Sequence, residues 1–274
     1  MPWVKVIWEK LLTILFERGY LIPAVNTPDA NYLLCAKKLA QSIRAWHPDA
    51  KICLLTDKEI SDDAFDIIKL LPYGDQAINS NWKLSNDWQV FEASPFAHTI
   101  KLEADMWVAS PVDHWWDLFK NRDLVISQGC RDFYDNPGKS RYYRKLFDNN
   151  NLPDVYNGIT YWQHSNFAKE FFILVRDMFE HWDNYKTLLK FPDEIPTTDV
   201  VYAMAAAVVG VDKVTMPADI GPTMVHMKKH IIPIVTENWS DELVCEHTNP
   251  GIRINTVAQW GFVHYHLKEL AIDE

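Results

Sequence analysis

Residues 20–57 read YLIPAVNTPDANYLLCAKKLAQSIRAWHPDAKICLLTD, and they contain two apolar runs with a helical pattern between them. The first run, YLIPAVN, leads into a turn-forming Asn-Thr-Pro-Asp sequence, and the second run is KICLLTD at residues 51–57. From Asn31 to Trp46 the apolar side chains recur at helical spacing, with basic and polar side chains on the other face. A strand, a helix and a second strand in this order form a βαβ unit, whose right-handed crossover joins parallel strands. The stretch therefore predicts an α/β fold.

The rest of the chain continues this alternation of apolar runs and amphipathic segments. The further predicted strands lie at residues 64–71, 99–108, 124–127 and 158–163, and short strands and turns follow from Lys213. The further predicted helices lie at residues 82–92, 167–182 and 198–209, and residues 128–154 read as a long loop with one helical piece. Because there is no linker or internal repeat, we expect one domain over residues 1–274. Residues 1–19 are a candidate extra helix packed on the sheet.

Composition narrows the class of protein. The 274 residues are 48% hydrophobic and 23% charged, which is typical of a soluble globular protein. The net charge of −10 argues against binding of nucleic acid by the whole surface. The four cysteines show no CxxC spacing and lie in or beside apolar runs, which favours buried reduced thiols over zinc. Charged residues interrupt the apolar N-terminal segment and no run is long enough to cross a membrane, so we expect a cytoplasmic protein.

Two acidic residues end the apolar stretch at residues 99–102. Glu103 and Asp105 are two positions apart, so in an extended chain their carboxylates point to the same side. In open α/β sheets, ligands bind beyond the carboxyl ends of the strands. A hard divalent cation removes the repulsion between two such carboxylates and can also hold a diphosphate. The pair therefore predicts a site for Mn²⁺ or Mg²⁺.

The order of the motifs adds a family resemblance. Asn26-Thr27, LLTD at residues 54–57, KLEADMWV at 101–108, Asn157-Gly158-Ile159, Thr197-Thr198-Asp199 and VHMK at 225–228 follow one another along the chain. This set resembles the GT-A glycosyltransferases of the glycogenin and galactosyltransferase kind over about residues 20–230. The phrase PF…TIKLEADM is also similar to glycosyltransferases of T-even-like bacteriophages. The resemblance implies a GT-A, Rossmann-like fold, with a mixed, mostly parallel sheet flanked by helices, and a UDP-sugar donor carrying a hexose or a pentose such as arabinose. It also implies a nucleotide-binding half at residues 20–110 and an acceptor and sugar half at 111–274.

The same resemblance implies roles for individual residues around the donor. Asn26, Thr27 and Asp57 would contact the nucleoside, and Gly158 would line the sugar pocket beside Asn157, a candidate catalytic residue. Lys228 would contact the diphosphate, although the glycine expected after the preceding histidine is missing. Asp199 would lie near the reacting carbon, and capping of the following helix is its alternative role.

The metal site has two candidate third ligands. The resemblance implies that Glu103 and Asp105 match the family's DxD motif, with Glu in place of the first Asp. His226 is the third ligand favoured by the order of the motifs. His264 is the second choice, because it shares one face of a predicted strand with His266.

The segment RDFYDNPGKSRYYRK, residues 131–145, mixes basic and aromatic residues. Such a mixture can bind phosphates and stack on bases, and an ordinary solvated loop is the alternative. The candidate acceptor-binding residues are Arg131, Lys139, Arg141, Tyr142 and Arg144. Together with the phage resemblance, this segment suggests 5-hydroxymethylcytosine in DNA as an acceptor, in the cytoplasm of a phage host.

The leading hypothesis is a metal-dependent glycosyltransferase, with retention or inversion of the anomeric carbon left open. A glycan acceptor and a non-catalytic protein that binds sugar or nucleic acid on a transferase scaffold are the alternatives. A nucleotidyltransferase is disfavoured, because no glycine-rich phosphate loop follows the first strand at residues 25–29.

Overall fold

The computed structural model describes residues 14–77, 83–138, 144–191, 195–217, 220–229, 231–232, 239–248 and 250–265. The strands in these ranges are β1 Phe16–Pro23, β2 Ile52–Thr56, β3 Ile67–Leu70, β4 Phe96–Leu102, β5 Met106–Val108, β6 Leu124–Gln128, β7 Val155–Gln163, β8 Met224–Met227, β9 Cys245–Thr248, β10 Gly251–Ile254, β11 Val257–Ala258 and β12 Phe262–Tyr265. The helices are α1 Tyr32–Trp46, α2 Val90–Ala93, α3 His114–Phe119, α4 Lys145–Asn149, α5 Asn166–Glu180, α6 Trp182–Leu189, α7 Thr198–Val209 and α8 Val211–Val214, with 3₁₀ helices at Lys83–Gln89 and Trp239–Glu242.

The central sheet has six strands in the order β3-β2-β1-β4-β7-β6. β1 pairs in parallel with β2 and β4, and β2 pairs in parallel with β3, whereas β7 runs antiparallel to β4 and β6. The predicted α/β fold with a mixed, mostly parallel sheet flanked by helices is therefore confirmed. Two smaller sheets, β11-β10-β9 and β5-β12-β8, accompany it.

Helix α1 forms as its sequence pattern predicts. The side chain of Asn31 caps it by accepting a hydrogen bond from the Leu34 backbone N at 3.1 Å. Its buried face, which includes Leu39 and Ile43, packs into the hydrophobic core on one side of the sheet. A second core, which includes Phe171 of α5, covers the other side. Both faces of the parallel strands are thus shielded from water.

The first strand begins earlier than predicted. Residues 16–19, which fall in the segment expected to be an extra helix, belong to β1, so this part of the expectation is wrong; residues 1–13 lie outside the described residues. Tertiary pairing explains the difference, because Phe16 pairs with Phe96 of β4 and extends the ladder. A Cβ atom at Gly19 would collide with the Phe96 ring, so glycine allows this close approach.

The stretch at residues 99–108 forms two strands rather than one. β4 ends at Leu102 and β5 begins at Met106, in a different sheet. The Glu103 backbone N donates to the Gly158 backbone O of β7, whereas the Asp105 backbone O accepts from the Tyr265 backbone N of β12. The chain thus changes its pairing partner within three residues. The turn between the two sheets carries both acidic side chains.

All four cysteines are thiols; Cys35, Cys53 and Cys130 are buried and Cys245 is partly buried. Among the described residues, no helix has the length and apolar character that a membrane span requires. The division into halves at 20–110 and 111–274 stays a prediction.

Candidate metal and donor site

A cavity of about 640 Å³ lies at the carboxyl ends of β1, β2 and β4. The loop after β1 contributes Thr27 and Asp29 to its lining, and the turn after β4 contributes Glu103 and Asp105. The rest of the lining includes residues of β7, the first turn of α7, and strands β8 and β12. This is the edge where open α/β sheets bind ligands.

Three side chains in this cavity form a cluster with the chemistry of a metal site. Ligand atoms of Glu103, Asp105 and His264 all lie within 4.8 Å of one another. The His264 Nε2 atom is 3.3 Å from both Glu103 Oε2 and Asp105 Oδ1. Ligands at right angles around a divalent ion are separated by about 3 Å. Two carboxylates and an imidazole at these distances could therefore hold a divalent metal ion.

The electrostatics of Glu103 point to a cation at the same place. Burial raises the pKa of its carboxyl, while His264 and Lys101 lower the pKa and Asp105 and Asp199 raise it. Burial and two neighbouring carboxylates thus oppose the ionised form. A divalent ion beside Glu103 would offset both effects. A Cβ atom at Gly158 would lie 3.4 Å from Glu103 Oε2, so the missing side chain leaves room for this carboxylate.

The two candidate histidines are neighbours on the small sheet. β8 and β12 are parallel, with His226 opposite His264, and their ring centroids are 4.9 Å apart. β12 also pairs with β5, which sets His264 opposite Met106, next to Asp105. The structure therefore groups His264, the second choice from sequence, with the acidic pair. His226 lines the cavity and contacts the Tyr156 ring.

Asp199 is held at the cavity wall by two contacts. Its Oδ1 accepts from the Asn157 backbone N at 2.8 Å, and its Oδ2 lies 3.3 Å from Arg144 Nη1. Asp199 lies in the first turn of α7, and among the described residues the side chain of the N-cap residue Thr197 makes no capping hydrogen bond. The Asp199 side chain is 32% exposed and lines the cavity, so it can reach a ligand.

The other predicted donor residues fall into two groups. Thr27, Gly158 and Lys228 line the cavity, and burial lowers the pKa of Lys228, whose charge interacts with those of Asp199 and Glu103. Among the described residues, Asn26, Asp57 and Asn157 are not part of the cavity lining.

These three residues have other surroundings. Asn26 Oδ1 accepts from the Leu33 backbone N at 2.9 Å and supports the start of α1. Asp57 is exposed beyond the end of β2. Asn157 is fully buried, and among the described residues its Nδ2 has no hydrogen-bond partner. Its backbone contacts two residues of the cavity lining: the N–H donates to Asp199, and the carbonyl oxygen accepts from Lys101 Nζ.

The basic and aromatic segment is only partly described, since Lys139, Arg141 and Tyr142 lie outside the described residues. Arg144 is buried between the rings of Phe147 and Tyr156 and forms an ion pair with Asp154 at 2.9 Å.

Arg131, the other described basic residue of the acceptor prediction, is also buried. Its guanidinium carbon lies 3.6 Å from the centre of the Trp260 ring, and an ion pair links it to Asp135 at 3.3 Å. Within the described residues, Arg131 therefore serves internal packing, whereas Arg144 is packed among aromatic rings and also lines the cavity beside Asp199.

Sequence reasoning missed an ion pair in the lining of the cavity. Lys101 of β4 and Asp87 of the 3₁₀ helix Lys83–Gln89 lie 2.9 Å apart. The available signal was a lysine inside an apolar strand, but only the folded chain brings its partner to it.

Comparison with solved structures agrees with the architecture. No protein-family model and no curated protein sequence matches the chain. The fold is similar to that of the galactosyltransferase LgtC, solved in complex with donor and acceptor sugar analogues, with a TM-score of 0.52, 13% identity, and coverage of 90% of this chain and 87% of that chain. An active-site mutant of LgtC matches with a TM-score of 0.50, 12% identity and the same coverage. Mouse xyloside xylosyltransferase 1 matches at 0.48 with 8% identity, over 92% of this chain and 98% of that chain. On the likeness to LgtC, the chain has the fold of GT-A glycosyltransferases.

Proposed function

We propose that the protein is a metal-dependent glycosyltransferase that uses a UDP-sugar as its donor. The observation that carries this proposal is the cluster of Glu103, Asp105 and His264 inside the large cavity at the carboxyl edge of the sheet. A cluster of this kind, on a fold shared with glycosyltransferases, is suited to bind a divalent ion and a diphosphate.

The residues of the cavity would have different roles in the reaction. Glu103, Asp105 and His264 would hold Mn²⁺ or Mg²⁺, which when bound stabilises negative charge on a leaving diphosphate. Lys228 lies in the lining and adds a positive charge for the phosphates. Asp199, oriented by its two contacts, would bind a sugar hydroxyl or accept a proton from the acceptor. Asn157 would act through its backbone N–H by positioning Asp199.

The proposal is tested by donor cleavage. The protein is incubated with UDP-glucose, UDP-galactose, UDP-N-acetylglucosamine and UDP-arabinose in Mn²⁺, with and without EDTA, and UDP release is followed. We expect release from at least one donor, abolished by EDTA and lowered by about 100-fold or more in Asp105→Ala, since a charge-stabilising ion is lost. Asp117→Ala, which removes an exposed acid on α3, is the matched control and should behave as wild type.

Two outcomes would contradict the proposed transferase activity. Absence of both UDP release and calorimetric UDP binding would refute the nucleotide-sugar proposal. Metal-dependent binding of a UDP-sugar without turnover, with or without acceptors, would favour the non-catalytic binding protein.

The acceptor is proposed more broadly, as a hydroxyl compound. 5-Hydroxymethylcytosine in DNA comes from the phage resemblance and the segment at residues 131–145. The burial of Arg131 and Arg144 and the net charge of −10 give it no support. Hydroxymethylated DNA and a glycan such as lactose are therefore added as parallel arms once the donor is known. Sugar incorporation into one of them would identify the acceptor class.

A further inference from the structure

A buried ion pair lies in the lining of the cavity, outside the metal cluster. Lys101 Nζ is 2.9 Å from Asp87 Oδ1, and the two side chains are 1% and 9% exposed. Both residues line the cavity, which makes the pair part of its inner surface. Lys101 lies on β4, and Glu103 follows two residues later, just after the end of that strand. The ion pair is therefore next to the candidate metal site.

Two further contacts fix the pair in place. Tyr202 donates its hydroxyl hydrogen to Asp87 Oδ2 at 2.6 Å, and Lys101 Nζ donates to the Asn157 backbone O at 3.2 Å. Tyr202 lies three residues after Asp199 on α7, which places the two on the same side of that helix. Asn157 also contacts Asp199. The ion pair and Asp199, the residue proposed to lie near the reacting carbon, therefore both contact the backbone of Asn157. Helix α7 carries Asp199 and also Tyr202, which contacts Asp87.

Stability alone is a weak reason for such a pair. Taking two charges out of water costs free energy, and well-packed apolar residues of similar volume are often equally stable. An ion pair that lines a cavity can instead bind a ligand, because its charged groups can form hydrogen bonds with it.

The remaining hydrogen-bonding capacity identifies the kind of ligand group. The Lys101 ammonium has three donors, and its contacts with the described residues use two of them. The Asp87 carboxylate has about four acceptor positions, and its contacts with Lys101 and Tyr202 use two of them. A ligand group that accepts from the ammonium and donates to the carboxylate satisfies both. A hydroxyl does this, whereas a phosphate oxygen only accepts and is repelled by Asp87.

We propose that Asp87 and Lys101 bind a hydroxyl group of the transferred sugar and thereby determine which UDP-sugar the protein accepts. This inference rests on the proposed function, because it assigns the sugar of the same donor. The pair acts on the sugar rather than on the nucleotide, so its removal should separate affinity for UDP-sugar from affinity for UDP.

The test measures the binding of UDP and of UDP-sugars by calorimetry in Mn²⁺. The variants are Asp87→Asn and the double variant Asp87→Asn with Lys101→Met, which removes both charges and leaves no buried charge alone. We expect the affinity for UDP to change by less than about threefold. The affinity for the donor that the cleavage test identifies as preferred should fall by about 10- to 100-fold, as for lost hydrogen bonds to charged groups.

Deoxy donors locate the contact. Wild type should lose affinity for one of the 2-, 3- or 4-deoxy forms of its preferred donor, and Asp87→Asn should show no additional loss for that form.

Two control variants separate binding from folding. Tyr202→Phe leaves the cavity lining intact, and we expect a smaller loss of UDP-sugar affinity than in Asp87→Asn. Asp66→Asn removes a carboxylate that pairs with Arg44 and Lys51 away from the cavity, so it should lower the melting temperature without changing donor affinity.

The outcomes are distinct. Equal losses of UDP and UDP-sugar affinity, or no loss of either in variants of a wild type that binds both, would overturn this inference and leave the proposed function standing. A wild type that binds neither UDP nor any UDP-sugar would overturn both.

Discussion

At the scale of single residues, the candidate site depends on a choice between two adjacent histidines. The acidic pair is evident in the sequence as Glu103 and Asp105, but the order of motifs favours His226 over His264. In the structure His264 Nε2 lies 3.3 Å from both carboxylates, and His226 stands beside it on the neighbouring strand. Strand pairing, rather than proximity in sequence, thus decides which histidine lies beside the acidic pair.

We therefore expect His264→Ala and His226→Ala to differ in their affinity for Mn²⁺. His264→Ala removes a proposed ligand and should weaken Mn²⁺ binding by about 100-fold or more. His226→Ala removes only a neighbour of that ligand and should cost about tenfold or less. Calorimetric titration with Mn²⁺ measures both values. The reverse order of the two effects would return His226 to the ligand set.

At the scale of elements, helix ends show how far local sequence predicts structure. Asn31 precedes the apolar pattern of α1 and caps it through its side chain, as its residue type favours. Thr197 has an equally suitable type before α7, yet its side chain makes no capping hydrogen bond. Asp199, two residues later, directs its carboxylate to Asn157 and Arg144 instead of to the helix end.

Substitution by alanine should therefore lower the free energy of unfolding by different amounts at Asn31 and at Thr197. Asn31→Ala removes a real capping hydrogen bond and should lower the free energy of unfolding by about 1 kcal/mol. Thr197→Ala is the matched variant and should cost only a few tenths of that amount. Urea denaturation followed by circular dichroism measures both. Equal losses would mean that Thr197 does cap α7 in solution.

At the scale of the whole molecule, burial connects folding stability to pH. His164 packs against Phe91 after the end of β7, and burial lowers its pKa from 6.5 to about 4. Between these two values the unfolded chain binds a proton at this residue and the folded chain does not. The stabilising contribution is therefore complete above pH 6.5 and is lost as the pH falls toward 4.

His164→Gln should flatten this part of the stability profile. Between pH 6.5 and 4 the free energy of unfolding of the variant should fall less steeply than that of wild type, by up to about 1.4 kcal/mol per pH unit. Urea titrations at intervals of pH measure the two slopes. Identical slopes would show that folding does not hold His164 in its neutral form.

The sequence by itself determined the features that follow from local periodicity and residue type. These are the βαβ unit of residues 20–57, the buried helix at 198–209 and the two acids at a strand end. They could be predicted because apolar spacing and backbone preference act over a few residues. The tertiary structure decided what depends on contacts between distant segments. The division of residues 99–108 between two sheets, the position of His264 beside the acids and the meeting of Asp87 with Lys101 all arise from strand pairing and packing. Local sequence marks His264 and Lys101 as unusual residues, but it does not specify their distant partners.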